Sequence, residues 1–163
     1  MEISHRALAT CTVFAALIVA AVVVPVAETR SSDEDVKKVA VALVWANINA
    51  QYGKVWPRLH PRYQRVTTRA FWENCQRKAG TKAAGTEWLS IKATDSFPDR
   101  LSFPLLGTLR VTAVTIEARI VTYLGTRHTV RDTRYWIKLG STWRGLWQAE
   151  TYRAYKAHRC PPT

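Results

Sequence analysis

Cysteine is scarce in this 163-residue chain, which has three, and neither Cys75 nor Cys160 stands at metal-ligand spacing from a histidine, so zinc, or any other metal, is not expected. Serine is sparse as well, and none sits in a nucleophile elbow or a recognisable triad. Phosphate-binding loops and paired-carboxylate spacings are missing too, and no cofactor is expected. Acidic residues are outnumbered two to one, 12 against 24 Lys and Arg, giving a formal charge of +12. That balance suits a polyanion such as nucleic acid, anionic lipid or a cell-wall polymer, or simply a solvated basic face. The basic residues are scattered, however, and no RNA-binding or finger motif accompanies them, so nucleic acid is not an expected partner.

What is present begins with an apolar run free of charge, Ala7 to Val24, whose length of about eighteen residues lies between a signal-peptide core and a minimal membrane span. Arg6 before it and Asp33-Glu34-Asp35 after it orient the rest of the chain to the outside. Residues 1–27 therefore read as a signal peptide or a single membrane anchor, 28–32 as a linker and 33–163 as the folded domain. Cleavage after Ala27 would place Pro25 where a small residue is preferred, which leaves the anchor open. Leu8-Ala9-Thr10-Cys11 resembles a lipoprotein box but precedes most of the apolar run, so lipidation is not expected.

Beyond the leader, Ser32 to Asp35 offers capping side chains and carboxylates for a helix start. Val36, Val39, Ala40, Leu43, Asn47 and Ala50 repeat at helical spacing up to Gly53. Lys54 to Leu59 makes about one further turn before Pro61 interrupts it. Thr68 can cap a third helix from Arg69 to about Lys78, burying Phe71 and Trp72. Glu87 to Phe97 alternates as a strand, with Asp95 on the face of Leu89, Ile91 and Phe97. Pro98 to Gly107 reads as a long irregular connection of the kind that lines sites. With Cys11 in the leader, Cys75 and Cys160 form an even pair outside it, expected to bridge in an oxidising compartment, with two free thiols as the alternative.

From Leu109 to Tyr155 the pattern is β. Side chains alternate faces along a strand, which puts Val114, Ile116, Ala118 and Ile120 together, then Tyr135, Ile137 and Leu139, then Trp143, Trp147 and Ala149. A two-residue Gly125-Thr126 turn would pair Ile116 with Tyr135, Val114 with Ile137, Glu117 with Arg134 and Arg119 with Asp132. Slipping that register by two would set like charges opposite each other. A three-residue turn at Gly140-Ser141-Thr142 would match Leu139 to Trp143 and Tyr135 to Trp147. The expected product is a three-stranded meander with an aromatic inner face and Trp136 outside, where an exposed aromatic suits a partner surface.

This order of elements resembles the nuclear transport factor 2-like, or cystatin-like, superfamily over roughly Asp33 to Cys160. It is most similar to small exported actinobacterial members, on the strength of Leu59-His60-Pro61, Phe71 with Cys75, Gly107 and the terminal Cys160-Pro161. The resemblance implies an α+β fold in which N-terminal helices pack in the concave face of a curved, mainly antiparallel sheet, forming a cone with a pocket. Its inward polar residues would be Asp95, Arg131, Thr133, Tyr135 and Thr151, with Trp147 in the wall and His60 and Tyr63 at the rim. Isomerases and SnoaL-like cyclases of this superfamily place a carboxylate and a tyrosine or histidine in the cone, making Asp95, Tyr135 and His60 the catalytic candidates of a cofactor-free lyase or isomerase. The plainer expectation is that Asp95 pairs with Arg131, Tyr135 is core and His60 caps a helix. On that account the chain is an exported or membrane-anchored, non-catalytic domain that binds a small ligand or a protein partner at the envelope. It could also be an accessory subunit of an envelope transport or secretion complex, or a homodimer through the sheet.

Overall fold

A computed structural model describes residues 26–82 and 85–162; the apolar leader lies outside them. Helix α1, Val26–Ile48, starts earlier than expected and takes in the stretch read as a linker. Val36, Ala40 and Val44, spaced by four, form its buried stripe. The helix ends in a Schellman motif ahead of Gly53: the Gln51 N–H donates to Ala46 O at 2.7 Å and the Ala50 N–H to Asn47 O at 3.1 Å. Ala50 itself takes the left-handed conformation, φ 54°, that the motif demands.

Short helical pieces follow: α2 at Tyr52–Val55, a 3-10 turn at Trp56–Arg58 and α3 at Pro61–Gln64. Pro61 does not merely stop a helix; it begins one, because its missing N–H falls where the first helical turn has no acceptor to offer. Helix α4 spans Arg69–Lys82, and Thr68 Oγ1 accepts from the Phe71 N–H at 3.2 Å, as the capping argument required.

The sheet has four antiparallel strands in sequential order, β1 Glu87–Phe103, β2 Gly107–Val121, β3 Arg127–Leu139 and β4 Thr142–Leu146. Three expectations are corrected. First, Pro98 to Phe103 is strand, paired with Thr112 down to Gly107, and not an irregular connection. Pro98 is tolerated because β1 is an edge strand, where a missing N–H costs no ladder bond on the open side.

Second, the β2–β3 turn begins two residues earlier and is longer by a residue. Thr122 N–H donates to Thr126 O at 3.0 Å and Gly125 N–H to Thr122 O at 2.8 Å, closing a loop over Tyr123, Leu124 and Gly125. Ile116 therefore faces Asp132, Val114 faces Arg134, Ala113 faces Tyr135 and Glu117 faces Arg131. The register differs from the expected one by three residues, and an odd shift exchanges the faces of the whole strand. Charge did not forbid it, because β3 carries arginines at both 131 and 134 and Glu117 meets one in either register.

Third, β4 ends at Leu146. A two-residue Gly140-Ser141 turn sets Leu139 against Thr142 and Tyr135 against Leu146. Ala149 to Tyr155, expected as strand, belongs to helix α5, Ala149–Lys156, which buries Ala154 and Tyr155.

The corrected register divides the core by strand parity. Leu109, Val111, Tyr135 and Ile137 pack with Tyr52, Tyr63, Trp72, Trp147 and Tyr155 of the short helices, α4 and the C-terminal segment. Val114, Ile116, Ala118, Trp136 and Trp143 pack with Val36, Ala40 and Val44 of α1. Trp136, 4% exposed, is thus under α1 and not on an outer surface. Cys75 of α4 and Cys160 form a disulfide with Cα atoms 5.2 Å apart, which ties the segment after α5 to α4. The protein is α+β with an open antiparallel sheet.

Candidate functional site

A cavity of about 470 Å³ opens where α1, α4, β3 and the β4–α5 junction meet. Its apolar walls come from Leu43, Trp72, Trp136 and Trp147. An aromatic column supports one side. Tyr63 stacks on Trp147 with centroids 5.1 Å apart, and Trp147 stacks in turn on Tyr155 at 4.6 Å. Tyr63 OH donates to Trp147 O at 3.3 Å, which fixes that indole from behind. Burial pushes both phenols up to about 12; Tyr152 adds to the rise at Tyr63, while a hydrogen bond from Gln76 opposes it at Tyr155.

The polar groups of the cavity are few and directional. Asn47 Nδ2 donates to Gln76 Oε1 at 3.1 Å, and Gln76 Nε2 donates to Tyr155 OH at 3.0 Å. This chain fixes the Asn47 amide so that its Oδ1, buried and without a partner, is left as an acceptor. Trp136 Nε1, a donor, is also buried and without a partner. Both residues line the cavity. Leaving such groups unmatched costs on the order of 1 to 3 kcal/mol each. Asp132 and Arg134 join across 2.8 Å among its lining residues, with both side chains about half exposed.

Of the residues expected in a pocket, Thr133, Tyr135, Trp147 and Thr151 line this cavity. Asp95, Arg131 and Tyr63 do not. Asp95 is exposed on edge strand β1, opposite Thr115, and its Oδ1 accepts from the Ser96 N–H at 2.8 Å. Tyr135 is two strands away and opposite Ala113, edge-on to Phe103 at 5.7 Å. The expected Asp95 to Arg131 pair is replaced by Glu117 to Arg131, with Arg131 Nε and Nη2 donating to Glu117 Oε2 at 3.1 and 3.0 Å. Lys92 Nζ lies 3.2 Å from the other oxygen of Glu117 and Arg119 Nε 3.9 Å. The hydrogen bonds from Arg131 and Lys92 hold the Glu117 carboxyl below the usual carboxylate range. It is covered by the arms of its own partners rather than by the protein interior, and a carboxylate so neutralised is a poor proton acceptor.

His60 takes the capping role. Its Nδ1 accepts from the Arg62 N–H at 3.2 Å at the start of α3. Partial burial, then Arg62 and Arg144, keep its imidazole below the ordinary histidine value, in the neutral form that the cap requires. Among the described residues no group of three or more His, Cys, Asp or Glu side chains is placed to hold a metal ion.

Sequence reasoning missed Asn47, Gln76 and Trp136. Asn47 was legible in part, as a polar side chain on the apolar stripe of α1. Trp136 was hidden by the register, which put it on the opposite face. No protein-family model, characterised protein or solved structure matches this chain.

Proposed function

We propose that the chain is an exported or membrane-anchored, non-catalytic domain that binds a small ligand in the cavity beside Trp136. The single observation that carries this reading is an aromatic-walled cavity of about 470 Å³ whose lining residues include Asn47 and Trp136, each holding a buried polar atom without a partner. Pockets that recognise small molecules combine apolar walls with a few placed polar atoms. The complementary ligand is flat and largely apolar, uncharged at the buried end, and carries a hydroxyl, amide or similar group that both donates and accepts. A polar tail suits the end lined by Asp132 and Arg134. The Cys75–Cys160 disulfide is compatible with an oxidising compartment, in line with the export reading of Ala7 to Val24. The superfamily resemblance and its cone remain part of this proposal, with the α+β order of helices before an antiparallel meander as their support. The isomerase reading draws no support from Asp95 and Tyr135, which sit apart on different strands.

The test is a fragment titration followed by the indole N–H resonances. Flat hydroxylated or amide-bearing fragments are expected to shift the Trp136 Nε1–H signal, and Ala79→Phe, which fills the cavity from α4, is expected to abolish the shift. Fragments that bind without moving that signal, or that bind Ala79→Phe equally well, overturn the proposal.

A further inference from the structure

The β2–β3 hairpin ends in two large side chains with almost no cover, Tyr123 at 81% and Leu124 at 74% exposure. They are the most exposed large hydrophobic residues of the described chain, and Leu89 at 47% and Val130 at 46% lie at the same end of the sheet. Behind the tip, Arg119, Arg127 and His128 line a shallow cavity of about 250 Å³ with Leu89. Lys92 and Arg131 stand in the next row, joined to Glu117, which Arg119 also approaches at 3.9 Å with its side chain 61% exposed. An apolar tip backed by arginines is the composition of a surface that enters the boundary of an anionic bilayer, aromatic and aliphatic groups deepest and cations at headgroup level.

The course of α1 identifies what this end faces. Its C-terminal part lies by β3, since Leu43 and Asn47 share the large cavity with Arg134 and Trp136. Its buried N-terminal stripe, Val36 and Ala40, packs in the cluster to which β1 contributes Trp88, Ile91 and Ala93. Those residues pair with Ile120, Ala118 and Ile116, toward the hairpin tip. From Asn47 back to Val36 the helix advances about 16 Å, and from Trp136 to Val130 the strand advances about 20 Å. The ten residues from Val26 to Asp35 then carry the helix about 15 Å further, toward the hairpin tip, which lies about 20 Å beyond Val130 along β3. The charge-free apolar run Ala7 to Val24 ends two residues before Val26. The start of the domain and its bare hydrophobic tip therefore point the same way.

We infer that the end of the sheet formed by Tyr123, Leu124, Arg119, Arg127 and His128 docks on an anionic phospholipid surface. Tyr123 and Leu124 enter the acyl boundary, and Arg119 and Arg127 take the lipid phosphates. Asp33, Glu34 and Asp35 on α1 and Glu87 at the start of β1 carry the opposing charge at this end; Lys37 lies 3.7 Å from Glu34. The anionic lipid is therefore engaged on the hairpin side of the sheet and not along α1. This goes beyond the ligand reading and rests only on its placement of the domain at a membrane, which the test itself supplies.

The full chain, with Cys11→Ser to remove the remaining thiol, is reconstituted with vesicles of phosphatidylcholine alone or with phosphatidylglycerol added. An environment-sensitive fluorophore is attached at Leu124→Cys or, at the opposite end of β3, at Ser141→Cys. With phosphatidylglycerol, the label at 124 is expected to shift to the blue and to be quenched several-fold by spin-labelled lipid, while the label at 141 stays in water. Arg119→Glu with Arg127→Glu is expected to cut that quenching several-fold, and phosphatidylcholine alone to support little of it. A label at 124 that stays as wet as the one at 141 on the anionic vesicles overturns the inference, as does quenching indifferent to lipid charge. Either failure leaves the titration at Trp136 untouched.

Discussion

The indole of Trp147 stacks on the phenol ring of Tyr155 with centroids 4.6 Å apart and planes 27° from parallel. One residue leaves β4 and the other closes α5, so the contact folds the C-terminal helix back over the cavity wall. Tyr63 completes the stack from below and holds the Trp147 carbonyl. Trp147→Ala is expected to cost about 3 to 5 kcal/mol, the usual penalty for emptying a buried aromatic site. Tyr63→Phe keeps the stack and is expected to cost about 1 kcal/mol for the lost hydrogen bond. Urea unfolding of both variants checks the order. Equal losses would mean that the ring of Trp147 contributes nothing beyond its backbone contact.

The same stack limits stability in alkali. Tyr63 and Tyr155 have folded values of about 12 against an ordinary 10.0. Both groups lose a proton more readily when unfolded, so their contribution is complete below about pH 10 and is lost as pH rises toward 12. The melting temperature is expected to fall steeply across that interval, and Tyr155→Phe to flatten part of the fall. An unchanged slope in that variant would remove Tyr155 from the explanation.

Acid acts through His60. Its folded value is depressed, so the stability tied to its neutral form is present above about pH 6.5 and declines as pH falls through the folded value. Protonated Nδ1 can no longer accept from the Arg62 N–H. His60→Asn, which retains a capping acceptor, is expected to lose the dependence that sets in below about pH 6.5 while staying within about 1 kcal/mol of the parent at neutral pH. Glu117 contributes at lower pH: its folded value is depressed, so its stabilising pairs persist until pH falls below the ordinary carboxylate range. Melting curves of His60→Asn and Glu117→Gln taken between pH 3 and 7 separate the two groups.

Local chemistry was readable in the sequence where a single side chain decides the outcome. Thr68 and His60 cap the helices their positions suggest, and Cys75 and Cys160 bridge as expected. Register was not readable, because β3 offers Arg131 and Arg134 as equivalent partners for Glu117, and the difference rests on a turn that begins two residues earlier and is one residue longer. The error then carried over to every side chain of the strand: Trp136 moved from outside to inside, and Arg131 from the site to a surface ion cluster. The helix at Ala149 was masked by the aromatic alternation that precedes it, although Gln148 to Tyr155 carries no strand-favouring β-branched run. The cavity needed α1, α4, β3 and the β4–α5 junction to meet, and only Asn47, a polar residue in an apolar stripe, announced it.

The disulfide is the largest single covalent constraint. Its 85-residue separation corresponds to about 4 to 5 kcal/mol on the chain-entropy account. Cys75→Ser with Cys160→Ser is expected to lose about 2 to 5 kcal/mol, and to free the segment after α5. Chemical denaturation with and without reductant measures the first effect, and protease cleavage after Arg159 reports the second. A double variant as stable as the parent would mean that α5 is held by Trp147 and Tyr155 alone.

Ala50 offers the opposite test, a gain. It stands at the left-handed position of the α1 Schellman motif with φ 54°, where a Cβ is a burden that glycine lacks. The strain of a non-glycine residue there is about 1 to 2 kcal/mol, while the freedom glycine adds to the unfolded chain returns about 0.4 to 1 kcal/mol of it. The difference leaves Ala50→Gly more stable by roughly 0.5 kcal/mol, a shift of about 1 to 2 °C for a domain of this size. The side chain is exposed, so no packing is lost to confuse the measurement. A destabilised Ala50→Gly would show that the turn joining α1 to Tyr52 does not hold its left-handed residue in solution, and with it the placement of Asn47 against Gln76 would fall.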